Sequence, residues 1–127
     1  MPQSDAVKTI LIVDDSASLR QTVHIVLAQA GYAVLEAADG IEGLSRLDGR
    51  RIHLIISDVN MPNMDGIAFV KAVKLRPDYR FTPIIMLTTE AQENKKLEGQ
   101  MAGAKAWVVK PFQPEQMLRA VSKLVLP

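Results

Sequence analysis

The sequence predicts an α/β fold: a doubly wound parallel sheet of five strands with five helices on its two faces. Three observations predict it. Strand-like and helix-like runs alternate from Thr9 to the last residues. The strand-like runs are short, β-branched and apolar, as in strands buried on both faces. The loops between runs are short, so five βα repeats follow one another, and such repeats build parallel sheets wrapped on both sides.

Each element has its own signal. TILIVD (Thr9–Asp14) reads as the first strand. A helix follows in which Leu19, Val23, Val26, Leu27 and Ala30 share one face. Gly31 stands where a helix C-terminal cap favours a residue without a Cβ. Ala33–Glu36 is the second strand, and Gly40–Leu47 a helix with Ile41, Leu44 and Leu47 inward. His53–Ser57 is the clearest central strand. Ile67, Val70 and Val73 mark the third helix, ended near Arg76-Pro77. Pro83–Leu87 is the fourth strand, with proline at its first position. The fourth helix, near Ala91–Ala102, has only Leu97 and Met101 as large apolar residues and carries Gly99, which costs about 1 kcal/mol relative to Ala. A weakly held helix is expected there. Ala106–Val109 is the fifth strand. Pro114 opens the last helix, with Met117, Leu118, Val121, Leu124 and Val125 on its buried face.

Composition bounds the function. A length of 127 residues fits a single domain over 1–127, with residues 1–8 expected to be a flexible segment. There is no cysteine, so disulfides and thiolate metal sites are excluded. Net charge is +1, from 15 Lys+Arg against 14 Asp+Glu with signs interleaved, and the basic stripe of a nucleic-acid binder is missing. Arg46, Arg50 and Arg51 read as a solvated helix end. No run is long enough to insert in a membrane, and the start lacks the apolar stretch of a signal peptide, so nothing points outside the cell.

In sheets of this kind ligands bind outside the carboxyl ends of the strands. Strand one ends in Asp14-Asp15, strand three in Asp58, strand four in Thr88-Thr89 and strand five in Lys110-Pro111. Each has an ordinary explanation alone: Asp15 or Ser16 can cap a helix, Asp58 can sit in a turn, Thr88 can end a strand. Together, three acids at one edge repel and raise one another's pKa. A hard cation relieves that, and oxygen ligands without His or Cys suit Mg2+. A carboxylate beside Mg2+ can attack phosphorus, while the cation and a lysine neutralise the transferring group.

The motifs LIVDDS, SDVNMPNMDG, MLTTE and KAWVVKPF, in that order, resemble the response-regulator receiver family and its CheY-like chemotaxis members over about Lys8 to Leu126. The resemblance implies a flavodoxin-like fold with strand order 2-1-3-4-5. It implies that Asp58 is phosphorylated and that Asp15 binds Mg2+ directly, Asp14 through water and Asn60 through its backbone carbonyl. Thr88 matches the switch hydroxyl, and Lys110 the phosphate-pairing lysine, in a cis Lys110-Pro111 peptide. Asn60 and Glu90 match positions that tune phosphate lifetime. Trp107 takes the aromatic switch position, often Tyr or Phe, and its larger indole needs more space for an inward swing; its alternative reading is a core residue. His24 and His53 lie away from the strand carboxyl ends and do not read as phosphoacceptors, while Met61 and Met64 pack the loop after Asp58.

The implied protein is cytoplasmic and not an enzyme in the turnover sense. It takes its phosphate from a CheA-like histidine kinase. Its face of helix four, strand five and helix five, including Ala91, Lys95, Lys96, Lys105, Trp107 and Val109, would meet a flagellar-motor or other protein target. The chain ends soon after the fifth helix, so output is expected through protein contact rather than nucleic acid. Three rivals remain open. A phosphorelay shuttle would use the same site. An aspartyl-phosphate phosphatase usually has a second acid where Asn60 stands. A flavin carrier needs a phosphate-cradling loop where Asp14-Asp15 would repel phosphate.

Overall fold

The computed structural model describes residues 7–89 and 94–127. In chain order the elements are β1 (Thr9–Val13), α1 (Ala17–Gln29), β2 (Ala33–Ala37), α2 (Gly40–Ser45), β3 (Leu54–Asp58) and α3 (Gly66–Lys74). A 3-10 turn at Pro77–Tyr79 leads to β4 (Ile84–Thr88), α4 (Lys96–Ala102), β5 (Ala106–Val109) and α5 (Pro114–Leu124). The five strands form one parallel sheet in the order β2-β1-β3-β4-β5. Chain order reverses between β1 and β3, so a crevice opens there at the carboxyl ends.

Alternation along each strand divides the core in two. Leu11, Val13, Ile55, Ile84 and Met86 face α2 and α3, packing with Leu44, with Leu47 just after α2, and with Phe69, Val70 and Val73. Ile10, Ile12, Leu54, Ile56, Ile85 and Leu87 face α1 and α5 through Val23, Leu27, Met117 and Val121. No helix among the described residues is long and apolar enough to cross a membrane.

Several expectations shift. β3 and β4 each run one residue further than expected, so Asp58 and Thr88 end their strands inside the ladder, opposite Leu87 and Val109. Pro83 precedes β4 instead of opening it, its carbonyl accepting from Ile55 N. Ile41 is 54% exposed rather than inward. The buried face of α2 is made by Gly40 and Gly43, which turns Ile41 to solvent. Ala30 is exposed too, because α1 ends at Gln29; Gly31 then takes φ +99 as its capping position requires. In α5 only Met117 and Val121 are fully buried, with Leu118, Leu124 and Val125 partly so. Of the segment expected to be flexible, Lys8 is already tied in, its carbonyl accepting from Ala33 N at 2.9 Å. Residues 1–6, and the Glu90 and Ala91 expectations, lie outside the described residues.

Candidate functional site

Strand register places the acids. Val13 pairs with Ser57, so the residues that follow, Asp14 and Asp58, leave adjacent strands side by side. Asp14 is fully buried and held from three sides. Its N–H donates to Ala37 O at 3.0 Å, its Oδ1 accepts from Ser16 N at 2.8 Å, and Arg20 Nη1 donates to its carbonyl at 2.5 Å. Ser16 caps α1, its hydroxyl accepting from Leu19 N, which accounts for a serine at that position. Asp15 is exposed.

Asp58 is 6% exposed, and its Oδ1 accepts from Val59 N at 2.8 Å. One carboxylate oxygen from each of Asp14, Asp15 and Asp58 falls within a 4.8 Å cluster. Lys110 reaches into it. Its Nζ lies 3.2 Å from Asp58 Oδ1 and 3.4 Å from Asp14 Oδ2. The Lys110-Pro111 peptide is cis, and Lys110 N donates to Thr88 O at 2.6 Å, joining the ends of β4 and β5. Thr88 itself is buried, at 2% exposed.

Burial raises the pKa of Asp58, and the Asp14 charge adds to it; Lys110 and the Val59 N–H act in the other direction without cancelling the rise. One neighbouring ammonium therefore does not offset burial and the Asp14 charge together. A hard dication would, and the donor set fits one: three carboxylates, open to solvent on the Asp15 side, with no nitrogen or sulfur ligand in the cluster.

The other expected residues fall around this centre. Asn60 is exposed on the loop after β3. Met64 is half-buried there and packs with Met61 against the α2–α3 core, as expected. Trp107 pairs with Met86 in register, and its indole lies against α4. A Cβ on Gly99 would come within 2.1 Å of the Trp107 Cη2 atom, so the helix approaches the ring as closely as a glycine allows. The Trp107 Nε1 is buried and finds no partner among the described residues. Gly99 thus makes room for the indole where it lies.

Two networks escaped sequence reasoning. Arg20 bridges the Asp14 carbonyl to Glu36, whose other oxygen lies 2.6 Å from His24 Nδ1. Asn63 Nδ2 donates to Asp39 Oδ2 at 2.7 Å, joining the loop after β3 to the start of α2. The partners lie 16, 12 and 24 residues apart, and no local spacing signals them. An apolar groove of about 490 Å³ also opens between α1 and the start of α5, lined by Leu19, Val23, Phe112, Met117 and Lys110 among others.

Comparison with known proteins agrees with this fold. The sequence model of the response regulator receiver domain matches residues 10–122. Chemotaxis protein CheY1 of Helicobacter pylori is 38% identical over 119 residues, which cover 92% of this chain and 95% of that protein. The crystal structure of Vibrio cholerae chemotaxis protein CheY4 superposes with a TM-score of 0.90 at 51% identity, covering 94% of this chain and 100% of that one. The receiver domain of sensor histidine kinase PA1611 from Pseudomonas aeruginosa, solved with a magnesium ion in its active-site cleft, gives a TM-score of 0.86 at 27% identity, covering 94% and 98%. With so much of its length matched, the chain belongs to the response regulator receiver family, whose members are phosphorylated on an aspartate.

Proposed function

We propose that Asp58 is the phosphorylated aspartate and that the chain works as one receiver unit, a switch that acts on itself rather than turning over a substrate. The observation that carries this reading is the position of Lys110 Nζ, 3.2 Å from Asp58 and 3.4 Å from Asp14, inside a cluster of three acids. Asp14, Asp15, Asp58 and the Asn60 backbone carbonyl would hold Mg2+, the ion named in the PA1611 receiver structure. When bound, the ion supplies charge neutralisation for an anionic phosphoryl group.

The residues of the chain do the rest. Asp58 offers a carboxylate oxygen that forms the new O–P bond as the P–N bond of a phosphohistidine breaks. The electron pair stays with the departing imidazole, which takes a proton. Lys110 neutralises charge on the transferring group. The Thr88 hydroxyl then hydrogen-bonds the phosphoryl group, and Trp107 and α4 carry the change to the face of α4, β5 and α5. Asn60 and Glu90 set how long the phosphate lasts.

A histidine kinase is the phosphodonor; the chemotaxis names of the relatives support a CheA-like kinase and a flagellar-motor or similar protein target. The groove that includes Lys110 offers the donor an apolar surface. Intact-protein mass spectrometry with a small acyl phosphate tests the assignment. One phosphoryl group should be gained in the presence of Mg2+, lost with chelator, and absent from Asp58→Asn. Undiminished labelling of that variant would place the phosphate elsewhere.

A further inference from the structure

Beyond the site residues assigned above, the loop from Val59 to Asp65 is fastened to a part of the molecule that takes no part in the chemistry. Asn63 Nδ2 donates to Asp39 Oδ2 at 2.7 Å, and Asp39 uses its other oxygen to accept Glu42 N at 2.9 Å as the cap of α2. Both contacts hold the Asp39 carboxyl below its ordinary value, with the Glu42 N–H the larger influence. The neighbouring residues dock as well. The Met64 side chain lies against Gly40, where a Cβ would meet its Cγ and Sδ at 2.9 Å. Asn63 takes φ +69, a conformation that Asn and Asp tolerate better than most residues.

A second route of chain and hydrogen bonds connects Asp14 to Asp58. Asp14 N donates to Ala37 O at 3.0 Å, and Ala37 leads through Ala38 to Asp39. Asp39 holds Asn63, and the loop returns through Asn60 and Val59 to Asp58. The end of β2 and the loop after β3 are thus tied together on the side of the cluster away from Lys110. Mg2+ demands nearly ideal octahedral geometry at about 2.0–2.1 Å, whereas Ca2+ accepts variable geometry at about 2.3–2.6 Å. A ligand on this loop therefore has to be held in place for Mg2+ and much less so for Ca2+.

We infer that the Asn63–Asp39 bond, with Met64 seated on Gly40, is a positioning latch that sets the loop ligand for Mg2+ and so favours Mg2+ over Ca2+. The inference rests on the Mg2+ site proposed above. Neither latch residue touches the reacting atoms.

Calorimetric titration of the full chain with Mg2+ and with Ca2+, at fixed ionic strength, tests it. Asn63→Asp places two carboxylates face to face and breaks the latch while tolerating the same backbone conformation. Mg2+ binding should weaken by roughly tenfold, and Ca2+ binding by less than half as much on a logarithmic scale. Charge alone predicts the opposite sign, because an added carboxylate near a cation site tightens cation binding. Asn63→Asp with Asp39→Asn reverses the donor and acceptor and should restore Mg2+ affinity. Asn63→Gly keeps the backbone freedom, loses the amide, and should weaken Mg2+ binding by roughly threefold at unchanged Tm. Equal or tighter Mg2+ binding by Asn63→Asp, equal loss for both ions, or a folded double variant that is not restored would overturn the latch. Failure of the unaltered chain to bind Mg2+, or unchanged affinity in Asp15→Asn, would instead remove the metal site and this inference with it.

Discussion

Helices α3 and α4 are neighbours that pack on each other, yet they are held very differently. α3 buries Gly66, Ile67, Phe69, Val70 and Val73 of its nine residues, and Asp65 caps it through Ala68 N at 2.8 Å. The seven residues of α4 bury Gly99 alone, and its N-cap Lys95 makes no side-chain cap. Its two large apolar residues point outward, Leu97 at 66% and Met101 at 80% exposure. The difference assigns separate tasks. α3 begins directly after the loop that carries Asn60 and has to keep the site in register. α4 lies beside Trp107 and buries little, so under the switch proposed above it is the element that would change position at low cost.

The comparison breaks most easily in the core. Phe69→Ala removes a fully buried ring from α3 and should cost about 3–5 kcal/mol in urea unfolding. Met101→Ala in α4 should change stability by less than about 0.5 kcal/mol. Similar losses in the two variants would mean that α4 is anchored as firmly as α3.

Gly99→Ala sharpens the contrast. Alanine favours helix by about 1 kcal/mol, yet its Cβ would fall 2.1 Å from the Trp107 ring. The substitution should destabilise by about 1–3 kcal/mol and shift the emission of Trp107, the one tryptophan in the chain. Adding Trp107→Phe shortens the ring and should recover most of that loss. A stabilised single variant with unchanged emission would show that α4 does not rest on the indole.

The smallest effect belongs to the opposite end of the sheet. His53 accepts Thr9 N at Nδ1, 2.9 Å away, and burial, with Arg51 and Lys8 nearby, lowers its pKa from 6.5. Its contribution is therefore complete above the unfolded-state value. It declines as pH falls below 6.5, where the unfolded chain takes up the proton first. Tm should drop slightly more between pH 7.5 and pH 5.5 in the unaltered chain than in His53→Gln. Identical pH profiles would contradict this. The effect should leave α3 and α4 unchanged relative to each other.

Much of the architecture was legible because the strands announce themselves. Runs such as LIIS and IIML have no polar partner face, so they read as central strands, and the acids at their ends mark the reactive edge. The strand order came from family resemblance rather than from these runs. At helix α2, Leu44 and Leu47 face the core as expected and only Ile41 was misplaced, because Gly40 and Gly43 take the buried positions without any hydrophobic signal. Gly99 and Trp107 were each noticed, one as a weak point in a helix and one as an oversized ring. That they fit each other depends on the approach of α4 to β5, which no local pattern encodes. Arg20 and the Asn63–Asp39 pair were invisible for the same reason: ordinary polar residues acquire a role only when crossovers bring them together.

The division between a fixed helix and a responsive one is tested most directly by amide hydrogen exchange of the full chain, with and without phosphorylation by an acyl phosphate in Mg2+. Without phosphate, amides of α4 should exchange much faster than those of α3. Phosphorylation should change protection in α4 and at Trp107 while leaving α3 as it was. Equal protection of the two helices before phosphorylation, or a change in α3 as large as that in α4 after it, would contradict the account.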